Sequence, residues 1–381
     1  MRFDDVPGHE PLKMQLARAV VNDQVAHAQL FAGREGFAAL PMALAYAAFL
    51  TCTNRSPVDS CGECPSCQQN KKLIHPDVHF VFPVCSTAEI KGKDVVSRSF
   101  LPSWRSFIDQ NPYGNLDDWM DQIGGENKQA AISRQQSREV IDALSLTSFG
   151  GGYKVMIIWL PELMHPTAAN ALLKILEEPS SKTVFLLVSE NEEQLMTTMR
   201  SRVLYIPIRP FSDDDIVHYL TDHNESINQN IAERVARLSQ GNLNVAMDLL
   251  KEQDTDQEQF FKDWMRKCFI RDYGALTQLA EQFASLSKRL QSSSLTYGLG
   301  ILRASLLIHE EAVNLVRMNG GEKEFVSDFS KVLSPDMINI ISKELENVHY
   351  YLKRNANAKI AFMNLSIRIV DIFKTTQYET T

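Results

Sequence analysis

Four of the six cysteines fall in one short window, Cys52, Cys61, Cys64 and Cys67, in the spacing C-x8-C-x2-C-x2-C. A C-x2-C step lets two thiolates face one ion from a tight turn, and the stretch CGECPSC sets Gly62 and Pro65 between the sulfurs. Four thiolates close a tetrahedral shell around Zn2+ and leave no position for water, so the spacing predicts a structural zinc site. A redox dithiol is the competing reading; three cysteines this close together with a fourth argue against it. His75 and His79 are possible substitute ligands, but the context HPDVHF reads as a strand entry. Cys85 and Cys268 read as ordinary buried thiols.

A second set of positions is informative for the chemistry that is missing. GREGFAAL lies between a strand pattern and a helix pattern, where a phosphate-binding loop would lie. A working loop, G-x-x-x-x-G-K-[ST], cradles phosphates with backbone N–H groups, reaches them with its lysine and holds Mg2+ with its hydroxyl. Aligned on Gly33, with Gly36 inside the loop, the second glycine position is Ala38, the lysine position Ala39 and the hydroxyl position Leu40. The strand KVMIIW should then end in acidic residues that hold Mg2+ and polarise water. It ends in Trp159 and Leu160, and Glu162 comes two or three residues too late. Every group that would grip a triphosphate and its metal is absent, so no bound ATP and no hydrolysis are expected. A plain strand, turn and core helix without nucleotide ancestry remains open from this segment alone.

The elements that position these residues alternate. PLKMQLARAVVN reads as a helix, HAQLFAG as a short buried strand, and the stretch to Leu50 as an almost wholly apolar helix. HPDVHFVFPV, KVMIIW, TVFLLVS and RVLYIPI read as further strands, with TAANALLKILEEP a helix stopped at Pro179. Ser133 with Gln136 forms a capping box opening a helix with Val140, Ile141 and Leu144, and Gly150, Gly151 and Gly152 mark a turn. Strands alternating with helices predict a parallel sheet covered on both faces. Residues 86–128, rich in Ser, Asp, Gly and Asn, read as a surface insertion with a little helix. Beyond Pro210 everything readable is helical, with a capping box at Ser212 and Asp215 and broad apolar faces at Leu302, Leu306, Leu307, Val313 and Val316.

The expected organisation is an α/β domain over 1–209, with a zinc module at 52–75 and the insertion at about 86–128. A small helical lid domain (210–255) and an all-α C-terminal domain (256–381) follow. The chain has 381 residues, with 39 Lys+Arg against 47 Asp+Glu, a net charge of −8, which excludes nucleic-acid binding by bulk electrostatics alone. The longest apolar stretch, Leu40 to Cys52, is too short for a membrane span of roughly 20 residues, and MRFDDV is acidic where a signal peptide would be basic. A cytoplasmic protein with no membrane partner is expected.

TAANALLKILEEPSSKTVFLLVS followed by MRSRV resembles the bacterial clamp-loader ATPase family, an AAA+ family with an Asn-Ala-Leu-Leu-Lys helix, Leu-Glu-Glu-Pro, a sensor strand and Ser-Arg-Cys. HAQLFAGREG, the four-cysteine module directly after the apolar helix and the C-terminal YYLKRNANAKIAFMNL are also similar; most of the chain is covered except roughly 86–128. The resemblance implies an AAA+ fold with a helical collar, and membership of a five-subunit ring of DNA polymerase III that loads a sliding clamp onto primed DNA. The partners implied are gamma/tau and delta subunits, and the clamp and DNA through the complex. Because the motor motifs are lost, it implies the non-hydrolysing member. It also implies that Arg202, supported by Ser201, is an arginine finger acting in trans on a neighbour's ATP. Arg202 paired with a carboxylate of its own domain is the plainer alternative, and Arg200 is an adjacent competitor. Val203 replaces the family's cysteine, Ser189 stands at the sensor position, and Asn244 lies near where a second sensor arginine would be. Two other functions stay in view: an active gamma/tau-type motor, and a zinc-containing DNA-binding adaptor.

Overall fold

The structure, a computed structural model, describes residues 1–125, 128–136, 151–177, 179–224, 227–251, 257–286, 288–312, 321–354 and 356–379. Val140, Ile141, Leu144, Gly150, Glu178, Val313 and Val316 lie outside the described residues. The chain divides into two compact units, one of Met1–Ala236 with Gln240–Asn244, the other of Arg237–Ser239 with Val245–Thr381.

The first unit is built on a five-stranded sheet of β1 (Ala28–Ala32), β2 (Val78–Val81), β3 (Lys154–Trp159), β4 (Thr183–Ser189) and β5 (Leu204–Pro207), in the order β2-β3-β4-β1-β5. All pairings are parallel; Ala28 aligns with Phe185 and Lys154 with Thr183. The continuous apolar runs of β1, β3 and β4 are buried along their whole lengths, as central parallel strands must be. β5 departs from the expectation of a strand apolar on both faces. It lies at the sheet edge with Leu204 and Tyr205 each 50% exposed, because only β1 flanks it.

Helices α1 (Glu10–Val21), α2 (Ala39–Thr51), α3 (Pro65–Lys71), α4 (Leu101–Gln110), α5 (Leu116–Gln122), α6 (Pro166–Glu177), α7 (Thr197–Arg200) and α8 (Asp213–His223) complete most of this unit. Every residue of α2 from Ala39 to Leu50 is buried, which explains why ALPMALAYAAFL shows no polar face. On α6, Leu172 and Leu176 are buried among the sheet residues and Leu173 packs against them. Ser133 and Gln136 bond reciprocally at 2.6 and 3.4 Å, the expected capping box.

α4 and α5 correct the reading of 86–128 as a surface insertion. Trp104 and Trp119 are fully buried. Phe82 stacks on Trp104 with ring centroids 4.3 Å apart and meets Trp119 edge-on at 5.1 Å, and Trp119 Nε1 donates to the Pro83 carbonyl at 2.8 Å. The segment is a satellite core at the β2–β3 end of the sheet.

α9 (Gln229–Ser239) and α10 (Leu243–Lys251) follow. The second unit continues through α11 (Gln257–Ile270), α12 (Tyr273–Ser285), α13 (Lys288–His309), α14 (Gly321–Val332), α15 (Pro335–Lys353) and α16 (Ala358–Glu379). Its core centres on Phe261, Trp264, Phe283 and Phe362, with Trp264 Nε1 satisfied by Ser366 Oγ at 2.9 Å. Among the described residues no helix is long and apolar enough to cross a membrane.

Candidate functional site

α2 delivers Cys52 at its C-terminus, and the turn before α3 delivers the other three cysteines. Cys64 is the N-cap of α3, with Pro65 in the first turn, where a missing N–H costs nothing. Ser66 Oγ and Asn70 Nδ2 donate to the carbonyl and hydroxyl oxygens of Thr51 at 2.7 and 2.8 Å, tying α3 to the end of α2. The buried Asp59 carboxylate accepts the Phe3 and Asp4 amides, each at 3.0 Å, and anchors the module to the N-terminal turn.

The four sulfurs lie within 4.8 Å of one another. Cys52 Sγ is 3.6 Å from Cys61 Sγ and 3.9 Å from Cys64 Sγ, and Cys61 Sγ is 3.9 Å from Cys67 Sγ. A tetrahedron with metal–sulfur bonds of about 2.3 Å has edges of about 3.8 Å, so the cluster fits a Zn2+ ion in size and in donor type. Amides of Cys61, Cys64 and Cys67 point at Sγ of Cys52, Cys61 and Cys64 at 3.4, 3.3 and 3.4 Å, a donor arrangement that favours thiolates. Burial pushes the Cys52 and Cys67 thiols up. At Cys64 burial also acts upward, but hydrogen bonds from Thr53 and the Cys67 amide outweigh it and bring the thiol to about 6. His75 and His79 are not part of the cluster, which is the one group of its kind among the described residues.

The loop between β1 and α2 carries no charge at the decisive positions. Ala38, Ala39 and Leu40 are buried at the start of α2. Gly36 has φ of +74° and is closed over by a distant segment. The Leu243 amide donates to the Gly36 carbonyl at 3.0 Å and Asn242 Nδ2 to the Glu35 carbonyl at 2.9 Å. A Cβ on Gly36 would fall 1.8 Å from Asn242 Oδ1, so glycine is required here for space as well as for φ.

Trp159 occupies the strand-end position. It is 1% exposed and packs against Trp104 and Phe107, with ring centroids 5.2 and 5.9 Å away. Glu162 sits one short turn later and is half-buried. Its Oε1 accepts the Glu190 and Asn191 amides at 2.9 and 3.1 Å, so it braces the end of β4. Burial raises its pKa, against the lowering effect of those amides and of the nearby Ser189 hydroxyl. That hydroxyl and Glu162 Oε2 nonetheless lack a hydrogen bond of standard geometry. Asn244 donates to Asp118 Oδ2 at 2.7 Å and its Oδ1 accepts from Asn111 Nδ2 at 2.6 Å. Sequence reasoning missed these two partners, one capping α4 and one on α5.

Arg202 follows α7 on a surface turn and its side chain is 35% exposed. Nε donates to Glu177 Oε1 at 2.6 Å, and Nη1 donates to the Thr198 carbonyl at 2.8 Å and to Ser201 Oγ at 3.2 Å. Ser201 in turn donates to Thr198 O at 3.2 Å, and its amide bonds to Thr197 O at 3.1 Å. Val203 packs inward against the sheet core.

Residues 8–212, more than half of the chain, match the family described as DNA polymerase III, delta subunit. The DNA polymerase III subunit delta' of Pseudomonas aeruginosa is 27% identical over 300 residues, 77% of this chain and 77% of that protein. The chain belongs to the delta-prime clamp-loader family of DNA polymerase III. Its delta-prime relatives include that of Escherichia coli, 27% identical over 59% of this chain and 54% of that protein. Another, from Yersinia pestis, is 32% identical over 47% of this chain and 40% of that protein; these two are thus matched over about half of their lengths or less. A solved gamma-subunit-related protein of Thermotoga maritima is similar at 15% identity, with a TM-score of 0.39 over 95% of this chain and 99% of that one. The sheet is parallel, as the alternation of strands and helices predicts, and the β1–α2 loop lies at its carboxyl edge.

Proposed function

We propose that this chain is the non-hydrolysing subunit of a bacterial clamp loader and lends Arg202 to the ATP site of a neighbouring gamma/tau subunit. The observation that carries the first half is the burial of Ala39, Leu40 and Trp159 where lysine, hydroxyl and carboxylate are needed. Phosphate charge in that place would be buried without compensation, which costs several kcal/mol. The second half is supported by the placement of Arg202 on a surface turn braced by Ser201 and Thr198. On meeting a neighbour the guanidinium would leave Glu177 for the γ-phosphate, where charge develops as the phosphoryl group transfers.

In this reading the delta subunit and the motors are its direct partners, and it reaches the sliding clamp and primed DNA through the complex. Residues 210–255 serve as the lid, 256–381 as the collar, and Cys52, Cys61, Cys64 and Cys67 hold a structural Zn2+. The work is done in the cytoplasm.

Reconstitution with the motor subunits, delta and the clamp tests it. Arg202→Ala is expected to slow ATP turnover at the completed site by a factor on the order of 10³, with clamp loading falling in step. Unchanged rates would remove the finger, and ATP turnover by the isolated chain would instead favour a motor.

A further inference from the structure

α4, α5 and their caps touch three segments that border the β1–α2 loop, read here as the walls of a nucleotide-type site. On the strand-end wall, Trp104 and Phe107 pack on Trp159. On the loop wall, Asn115 Nδ2 donates to Glu35 Oε2 at 3.4 Å. At the third wall, the segment 240–244, Asn111 and Asp118 both bond Asn244. That segment closes back on the loop through Asn242 and Leu243. The circuit therefore runs from loop to α5 to the 240–244 segment and back to the loop, all within the first unit.

We propose that residues 101–122 are a built-in occupant of this site: their aromatic side chains cover its strand-end wall at Trp159 and their amide and carboxylate groups bridge its walls as a bound ligand would. A ligand stabilises the conformation whose walls it joins, by as much as it prefers that conformation. An occupant carried on the same chain is always present, so the loop is held closed at every stage of a nucleotide cycle. The buried aromatic cluster supplies attachment, and the Asn111–Asn244–Asp118 bonds supply the register, because buried amides and carboxylates are costly when unpaired. The inference rests on reading the site as nucleotide-type, and is independent of the role of Arg202.

Hydrogen exchange on the full chain tests it. Amides of 33–37 and 240–244 in the wild type are expected to be protected without nucleotide and to stay unchanged when Mg2+ and ATP are added. In Asn111→Ala/Asp118→Ala they are expected to exchange about tenfold faster or more, while β1 and β3 keep wild-type protection. Further slowing of the wild-type loop by Mg2+ and ATP would overturn the proposal without any variant. So would unchanged loop exchange in the double variant. Loss of protection throughout the sheet would show instead that these residues support the fold as a whole and have no separate bridging role. The clamp-loading assay can fail for Arg202→Ala with these exchange results intact, which separates the two readings.

Discussion

Glu177 holds Arg202 in place: its Oε1 accepts from Nε across 2.6 Å, and both side chains are partly open to solvent. An exposed pair of this kind contributes about 0–1 kcal/mol. A guanidinium so held is ordered yet readily released. Glu177→Ala is therefore expected to change stability by less than about 1 kcal/mol and to leave clamp loading at or above the wild-type rate. Denaturant melts and the reconstituted assay check this. A loading defect as large as that of Arg202→Ala would mean that the ion pair itself is the working feature.

The cysteine cluster predicts about one zinc per chain, and loss of most of it on Cys64→Ala. Metal analysis of the purified chain gives the stoichiometry. Treatment with a strong chelator is expected to lower the melting temperature of the wild type and to leave that of the variant nearly unchanged.

Gly36→Ala meets two obstacles, a positive φ and the side chain of Asn242. The φ alone costs about 1–2 kcal/mol. Removing the obstructing amide with Asn242→Ala should recover part of the remainder, so the double variant is expected to be less damaged than the two single losses added together. A double-mutant cycle by chemical denaturation measures that coupling; strict additivity would place the strain elsewhere.

Restoring the missing motor groups is expected to fail. Ala39→Lys with Trp159→Asp would set a cation and an anion at positions only 4% and 1% exposed. Breaking or stranding charge at such depth costs about 3–5 kcal/mol. The prediction is a strongly destabilised chain without ATPase activity, seen in melts and in a phosphate-release assay.

Glu162 gives a pH dependence with a definite sign. Its pKa in the folded chain is raised above 4.5, mainly by burial. The folded state then holds the proton more tightly than the unfolded chain, so this contribution is full below 4.5 and is lost as pH rises through the folded pKa. Glu162→Gln cannot ionise. Its stability relative to the wild type is expected to increase as pH rises above 4.5, by about 1.4 kcal/mol for every tenfold by which folding tightens the hold on that proton. Parallel urea melts across pH measure it.

Local sequence patterns were more legible than the packing. The cysteine spacing, the absent lysine and the Ser201–Arg202 turn are local patterns, and local patterns survive in one dimension. α4 and α5 were misread because Ser, Asp, Gly and Asn dilute their aromatics, although Trp104, Phe107 and Ile108 follow the i, i+3, i+4 spacing of a buried helix face. The Asn111–Asn244 bond spans 133 residues of sequence, and no periodicity announces it. β5 was legible as a strand, but its place at the edge depends on the order of the other four.

That edge position has a practical consequence for a chain awaiting its neighbours. Ile208 N donates inward to the Ala32 carbonyl at 2.7 Å, so the adjacent nitrogen, that of Pro207, faces outward. Proline has no hydrogen there to offer a stray strand. Next to two half-bare apolar side chains, the missing donor discourages edge-to-edge strand pairing and so favours a subunit that can be stored, concentrated and assembled without first sticking to itself.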